Sequence, residues 1–310
     1  MGTKLQGKNA VVTGSGRGIG RAIALAMAEE GARVVVNGVT RTPEEGGDLP
    51  PADETAAQIR KLGGTAIVSY DSVGDFAAAA RLVKLCVDTF GRIDIVVNNA
   101  GVVRDRMIHN MSEEEWDAAL TTHLKGTFNM CRHAAGLMRA QKWGRIINIG
   151  SAAWQGSVGQ VNYSAAKGGI TSLTRTVARE LGRYGVTCNC IVPMAATRIT
   201  LNEQVKAKFK KQFEEGEITR AVYEERINMP GPEHVGRVAA YLASDAAANI
   251  NGLLVRSAGG VVGIYPEPKI MKIIHKNTNK YGLWELDELE DLFPKILLSE
   301  YVNPAPPEAK

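Results

Sequence analysis

A tyrosine and a lysine one helical turn apart, Tyr163 and Lys167, have a serine, Ser151, twelve residues upstream. On a helix, positions i and i+4 share one face. There the lysine ammonium can lie beside the phenol and favour its ionised form. The Ser151 hydroxyl can hold a carbonyl or alcohol oxygen against that phenol. Such a set performs general acid/base chemistry, interconverting C–OH and C=O. Any helix supplies a Tyr/Lys pair by chance, so the surrounding elements must place these groups at a binding crevice.

Two further clusters do so. Thr13-Gly14-Ser15-Gly16-Arg17-Gly18-Ile19-Gly20 follows a strand-like run and opens a helix, the context of a dinucleotide-binding turn. Glycines there permit a tight turn and let backbone approach a pyrophosphate at a helix N-terminus. The spacing is G-x-x-x-G-x-G, and no Lys-Ser/Thr follows to make a Walker loop. Asn98-Asn99-Ala100-Gly101 ends another strand, where side-chain amides suit either a cofactor crevice or a plain turn. Ser151 also follows a strand, so all three clusters fall at one edge of a sheet, where open α/β folds bind ligands.

The elements that must position them alternate regularly. Asn9–Thr13, Arg33–Asn37, Thr65–Tyr70, Ile93–Val97, Arg145–Ile149, Thr187–Val192 and Leu253–Arg256 read as strands. Most lack polar alternation, as a parallel sheet covered on both faces requires. Helices are predicted near Gly20–Glu30, Ala52–Leu62, Phe76–Phe90, Glu113–Ala140, Tyr163–Tyr184 and Pro232–Leu242. The fold class is α/β: a single Rossmann-type doubly wound parallel sheet. Residues 1–263 form the dinucleotide-binding catalytic domain. Within it, a loop at Arg41–Pro51 follows the second strand. A helical insertion at 195–230 reads as a lid over substrate, or alternatively as a solvated helical hairpin. Residues 264–310 are a C-terminal helical extension, with Trp284–Leu298 broken at Pro294 and Tyr301–Lys310 disordered.

Composition narrows the function classes. The 310 residues are 45% hydrophobic and 23% charged, with net charge +4, which fits a soluble globular chain without a basic nucleic-acid arm. No apolar stretch approaches the roughly 20 residues of a membrane span. Cys188 and Cys190 lie two apart in an apolar strand-like run, which reads as neither a zinc pair nor a mutual disulfide. With Cys86 and Cys131 they read as reduced, buried thiols in a cytoplasmic protein, and no metal site is expected.

Together, T-G-x-x-x-G-x-G, N-N-A-G and Y-x-x-x-K, in this order, resemble the short-chain dehydrogenase/reductase family over about residues 5–262. The likeness implies that Tyr163 is the proton donor and acceptor, that Ser151 orients the substrate oxygen, and that Lys167 binds the nicotinamide ribose and tunes the tyrosine. It places the glycine turn (Gly14 through Gly20), Asp71, Ser72, Asn98, Asn99, Ala100, Gly101, Pro193 and Thr197 along the cofactor. Arg104, Trp154 and Met194 would shape the substrate pocket, although Trp154 could equally be packing under its loop. The family usually has an asparagine where this chain has His123, and Pro-Gly where it has Pro193-Met194. These departures resemble one subgroup, the (3R)-hydroxyacyl-CoA dehydrogenase modules of multifunctional β-oxidation enzymes and their bacterial relatives. His123 is therefore a candidate catalytic residue, its alternative being a merely buried helix histidine.

NAD-binding chains commonly carry an acid about twenty residues past the glycine turn. Here Gly38 stands there, and Arg17 and Arg41 are available to a 2′-phosphate, so NADP is expected ahead of NAD. A CoA thioester is the expected substrate. The alternatives are a free ketone or alcohol, such as a steroid or cyclic ketone, and a catalytically silent partner subunit. The resemblance also implies a homodimer or homotetramer packed through the long helices around Glu113–Ala140 and Tyr163–Tyr184.

Overall fold

Residues 2–44, 47–197, 200–201 and 203–304 are described by a computed structural model, the side chains of Gln204 and Glu225 excepted. Seven strands form within two residues of their expected bounds: β1 Asn9–Val12, β2 Arg33–Asn37, β3 Thr65–Ser69, β4 Ile95–Asn98, β5 Gly144–Ile149, β6 Val186–Pro193 and β7 Leu254–Ala258. They join an eighth, β8 Val261–Ile264, in one sheet of order β3-β2-β1-β4-β5-β6-β7-β8. All neighbours pair in parallel except β7 and β8. Strand order reverses between β1 and β4, so a crevice opens there at the carboxyl ends.

The helices are α1 Gly18–Glu29, α2 Pro51–Lys61, α3 Phe76–Phe90, α4 Glu113–Ala119, α5 Gly126–Gln141, α6 Val161–Leu181, α7 Glu203–Glu214, α8 Arg220–Ile227 and α9 Glu233–Ala243. Successive strand residues face opposite layers, as the two-residue period dictates. Val12, Val34 and Val36 pack with Ile23 and Met27 of α1 and Val235 and Ala239 of α9. Val11, Val35 and Val96 pack on the other face with Leu82 of α3 and Met130 of α5. Two residues apart on β6, Cys188 and Cys190 share one face of the strand: Cys188 joins that second cluster, and Cys190 packs in a smaller one beside it with Ile170 of α6, Val192 and Leu254. All four cysteines are free and buried. Burial pushes the Cys86 and Cys131 thiols up to about 12 and Cys190 up to about 11.

Three expectations need correcting. The sheet has an antiparallel edge strand, β8, beyond the seven expected. Gly259-Gly260 joins it to β7 as a two-residue hairpin turn, and a diglycine between two apolar runs is a hairpin signal. The single helix expected over Glu113–Ala140 is α4 and α5 joined by a π-helical stretch, Leu120–Lys125. An extra residue in that turn rotates α5 relative to α4, and it occurs where His123 sits. Pro294 does not end the helical tail. Helix α11, Leu286–Leu292, which comes after the short α10, Thr278–Tyr281, runs into a π turn at Phe293–Leu297, closed by the Leu298 N–H donating to Phe293 O at 2.8 Å, so the helical path continues past the proline by a change of helix type.

The chain divides into two units, Met1–Tyr265 and Pro266–Lys310. The expected insertion forms α7 and α8, stitched to each other by the stacked rings of Phe213 and Tyr223, 5.0 Å apart. At its base the Ala196 N–H donates to Pro230 O at 2.7 Å. Arg198, Ile199, Asn202 and residues 305–310 of the expected disordered end lie outside the described residues.

Candidate active site

The glycine turn leaves β1 and the N-N-A-G turn leaves β4, side by side at the strand-order reversal. Gly14 has φ +60°, and a Cβ there would stand 2.8 Å from Ala100 Cα, so backbone meets backbone where a side chain would intrude. Thr13 ties the two turns: its hydroxyl donates to Val97 O at 3.1 Å and accepts from the N–H groups of Asn99 (2.9 Å) and Ala100 (3.1 Å). Asn99 Nδ2 donates to Thr13 O and Gly14 O, each at 3.0 Å. Ser15 is fully buried, accepts from Asn37 N at 3.0 Å and donates to Val12 O, so it holds the turn to β2. Gly16 abuts the start of α2 at Pro51, and Ile19 packs into the core.

Helix α1 begins without a side-chain cap and without an acid in its first turn. Its leading N–H groups are thus open to an anion. Thr197 reaches over the same turn, since a Cβ on Gly18 would lie 3.5 Å from its Cγ2. This cradle fits the pyrophosphate of a dinucleotide.

The outer end of the crevice differs from the expectation by residue type. Arg17 is ion-paired with Glu44, and the Arg41 guanidinium lies 4.7 Å above the Tyr70 ring, whose hydroxyl donates to Asp53. Gly38 is tied to β3 through its N–H, which donates to Ser69 O at 3.0 Å. Asp71 takes Arg81 on one carboxylate oxygen and the Ser69 hydroxyl on the other. Ser72 is exposed, and its carbonyl accepts the Asp75 N–H. Asn98 turns inward: Nδ2 donates to Asn148 Oδ1 at 2.8 Å, and Asn148 Nδ2 donates to Thr174 at 2.8 Å.

Ser151 follows β5, and its Oγ accepts the Ala153 N–H at 3.2 Å. Tyr163 stands in the first turn of α6, and Lys167 one turn on is 3% exposed. Lys167 Nζ donates to Ile149 O at 2.6 Å and lies 5.4 Å from the Tyr163 ring centre. The lysine therefore bolts α6 to the strand that carries Ser151. Pro193 ends β6, and Met194 N donates to Ser257 O at 2.8 Å.

His123 packs edge-on to Tyr163, ring centres 5.1 Å apart, and against Gly101, where any Cβ would overlap the imidazole. Its Nε2 is 2.8 Å from Val102 O and 3.2 Å from Val102 N. One nitrogen cannot both donate and accept, and the shorter contact assigns the proton to Nε2. Nδ1 is then a buried acceptor with no partner among the described residues. Burial first, and the Lys167 ammonium second, hold the imidazole down at about 3, so it is neutral.

Trp154 is half-buried against Tyr265, 5.8 Å away and edge-on, beside Leu124 and Ile170. Arg104 is exposed, its Nη1 donating to Val103 O. Sequence reasoning missed Asn37, whose Nδ2 donates to Ser69 O and Asp71 O, and Asn162, beside Tyr163. For Asn37 a signal was visible, an amide closing an apolar run.

The family model for short chain dehydrogenases matches residues 8–208. The hydroxyacyl-CoA dehydrogenase ChsB1 of Mycobacterium tuberculosis is 41% identical over 301 residues, 94% of this chain and 90% of that protein. The peroxisomal multifunctional enzyme type 2 of Mus musculus is 37% identical over 283 residues, 89% of this chain but only 35% of the mouse protein. A crystal structure of a short chain dehydrogenase from Mycobacterium avium superposes with a TM-score of 0.79 at 38% identity, covering 98% of each chain. With its strand order, glycine turn and Tyr–Lys pair, this chain belongs to the short-chain dehydrogenase/reductase family of oxidoreductases, close to the hydroxyacyl-CoA dehydrogenases.

Proposed function

We propose that the protein interconverts a 3-hydroxyacyl-CoA and a 3-oxoacyl-CoA, with Tyr163 as general acid/base. The observation that carries this reading is the bond from buried Lys167 to Ile149 O, which fixes the lysine between Tyr163 and the strand that presents Ser151. A bound NAD(P) supplies or accepts the hydride. Ser151 holds the substrate oxygen, and Tyr163 exchanges a proton with it. Lys167 keeps positive charge beside the phenol and the ribose. Neutral His123 holds the Val102 backbone, and its buried Nδ1 can accept a hydrogen bond from a relay water.

The acyl-CoA assignment draws on the printed name of the mycobacterial relative, which aligns along nearly the whole chain. Gly38 leaves room for a 2′-phosphate, so NADP is accepted as well as NAD, with Glu44 and Tyr70 restraining the two arginines that would otherwise favour it. Four free buried cysteines suit a cytoplasmic protein. Of the two long helical stretches expected to pack a homodimer or homotetramer, α5 exposes Phe128, which stacks on exposed Phe76 of α3 and suits such a contact.

The test is a screen of CoA thioesters against free ketones, alcohols and steroids with both cofactors, alongside Tyr163→Phe. Turnover of CoA thioesters, lost in Tyr163→Phe while cofactor binding persists, is expected. Activity on free alcohols or steroids with none on any CoA thioester would overturn the substrate assignment. Near-normal turnover by Tyr163→Phe would overturn the mechanism.

A further inference from the structure

Helix α6 begins in an unusual way. Its N-cap, Gln160, makes no side-chain capping bond. The leading N–H groups of a helix lack intrahelical partners, and the Tyr163 N–H is one of them. Asn162 Oδ1 accepts it at 2.7 Å. The same carboxamide uses both of its donors, giving 2.9 Å bonds to Arg104 O and to Glu115 O. Asn162 is fully buried, and these bonds fill both of its donors and one of the two acceptor sites of Oδ1.

The partners lie in three different places: α6, α4, and the irregular segment that leaves the N-N-A-G turn. That segment is tied down along its length. His123 takes Val102, Asn162 takes Arg104, and the Arg106 N–H donates to Gly159 O at 2.7 Å. Gln160 Nε2 donates to Asp105 at 2.9 Å, while the Arg106 guanidinium pairs with the Glu115 carboxylate.

We infer that Asn162 is a positioning residue: it fixes the first turn of α6, and with it Tyr163, against the Val102–Arg106 segment. The inference rests on the acid/base reading of Tyr163. An amide is required because two carbonyl oxygens must be met by two donors. An ionised aspartate offers none and sets its lone pairs against theirs, whereas a protonated one restores a single donor. A serine keeps one donor at every ordinary pH.

The experiment compares Asn162→Asp, Asn162→Ser and Tyr163→Phe in the full chain. It measures melting temperature, affinity for the reduced cofactor by fluorescence, and kcat and KM between about pH 6 and pH 9. Both Asn162 variants are expected to bind cofactor within about threefold of the parent and to lose about tenfold or more in kcat, since small misplacements of a reacting group carry such penalties. The Asn162→Asp deficit shrinks as pH falls, because burial and the two facing carbonyl oxygens raise the carboxyl pKa against the more distant Arg104 and Arg106, the latter already paired with Glu115. The Asn162→Ser deficit stays constant across the range. If Asn162→Asp fails to fold, Asn162→Ser alone makes the comparison of kcat with cofactor affinity. Parental kcat in Asn162→Ser, or an Asn162→Asp deficit equal at every pH, overturns the inference while an inactive Tyr163→Phe leaves the acid/base reading standing. An active Tyr163→Phe removes that reading instead.

Discussion

The imidazole of His123 donates from Nε2 to the carbonyl oxygen of Val102 at 2.8 Å, and so joins a π-helical turn to the backbone just past Gly101. That bond needs only the neutral ring. Burial opposes protonation, and the second nitrogen has no partner among the described residues. Folding therefore selects the uncharged form.

Stability should reflect this. The imidazole titrates near 6.5 in the unfolded chain and at about 3 when folded. Between those values the unfolded state binds a proton that the folded state refuses. The contribution of His123 is thus fully present above pH 6.5 and is lost as pH falls toward 3, by up to about 1.4 kcal/mol per pH unit. Urea unfolding of the parent and His123→Asn at about pH 7, 6 and 5 checks it. The parent should lose stability more steeply on acidification, and equal slopes would contradict the assignment.

Asn99 braces the glycine turn through two carbonyls at 3.0 Å. In Asn99→Asp a carboxylate replaces the donor and faces both oxygens, leaving groups unsatisfied at about 1–3 kcal/mol each. Affinity for NAD(P)H should fall about tenfold or more for every 1.4 kcal/mol so lost. Fluorescence titration measures it, and affinity within twofold of the parent would refute the brace.

Two glycines of the crevice should respond differently to alanine. Gly14→Ala forces a Cβ into a left-handed backbone 2.8 Å from Ala100 Cα, and neither chain can yield. It should cost roughly 1–2 kcal/mol for conformation alone and weaken the cofactor further. Gly38→Ala meets only Ala52 Cβ at 3.5 Å, an ordinary contact, and should be neutral within about 0.5 kcal/mol. Melting temperatures with and without cofactor separate the two, and similar losses in both would count against this account.

Cofactor choice should turn on charge at the outer end of the crevice. Glu44→Gln removes the carboxylate paired with Arg17 and should raise kcat/KM for NADP relative to NAD. Gly38→Asp should move the ratio the other way, by placing an acid where a ribose 2′-hydroxyl is held. A ratio unchanged in both variants would show that neither residue reads the 2′ position.

Much of this was legible from residue types. The apolar runs announce buried parallel strands, and the glycine turn, N-N-A-G and Tyr163–Lys167 each occupy the strand end or helix start expected of them. Some features went unread although their signals were present, such as the Gly259-Gly260 hairpin into β8. Others have no local signal. Nothing near Asn98 says that it turns toward Asn148, fifty residues on, while its neighbour Asn99 reaches back to Thr13.

Local pattern fixes which groups the chain possesses and which elements carry them, because propensity and periodicity act over a few residues. Hence the sequence alone determined the fold class, the order of the clusters and which elements carry Ser151, Tyr163 and Lys167. Partner choice depends on register between distant strands and on which way each side chain leaves its element. Only the tertiary structure therefore decided that Arg17 is answered by Glu44, that His123 grips Val102, and that Asn162 anchors the turn beneath Tyr163.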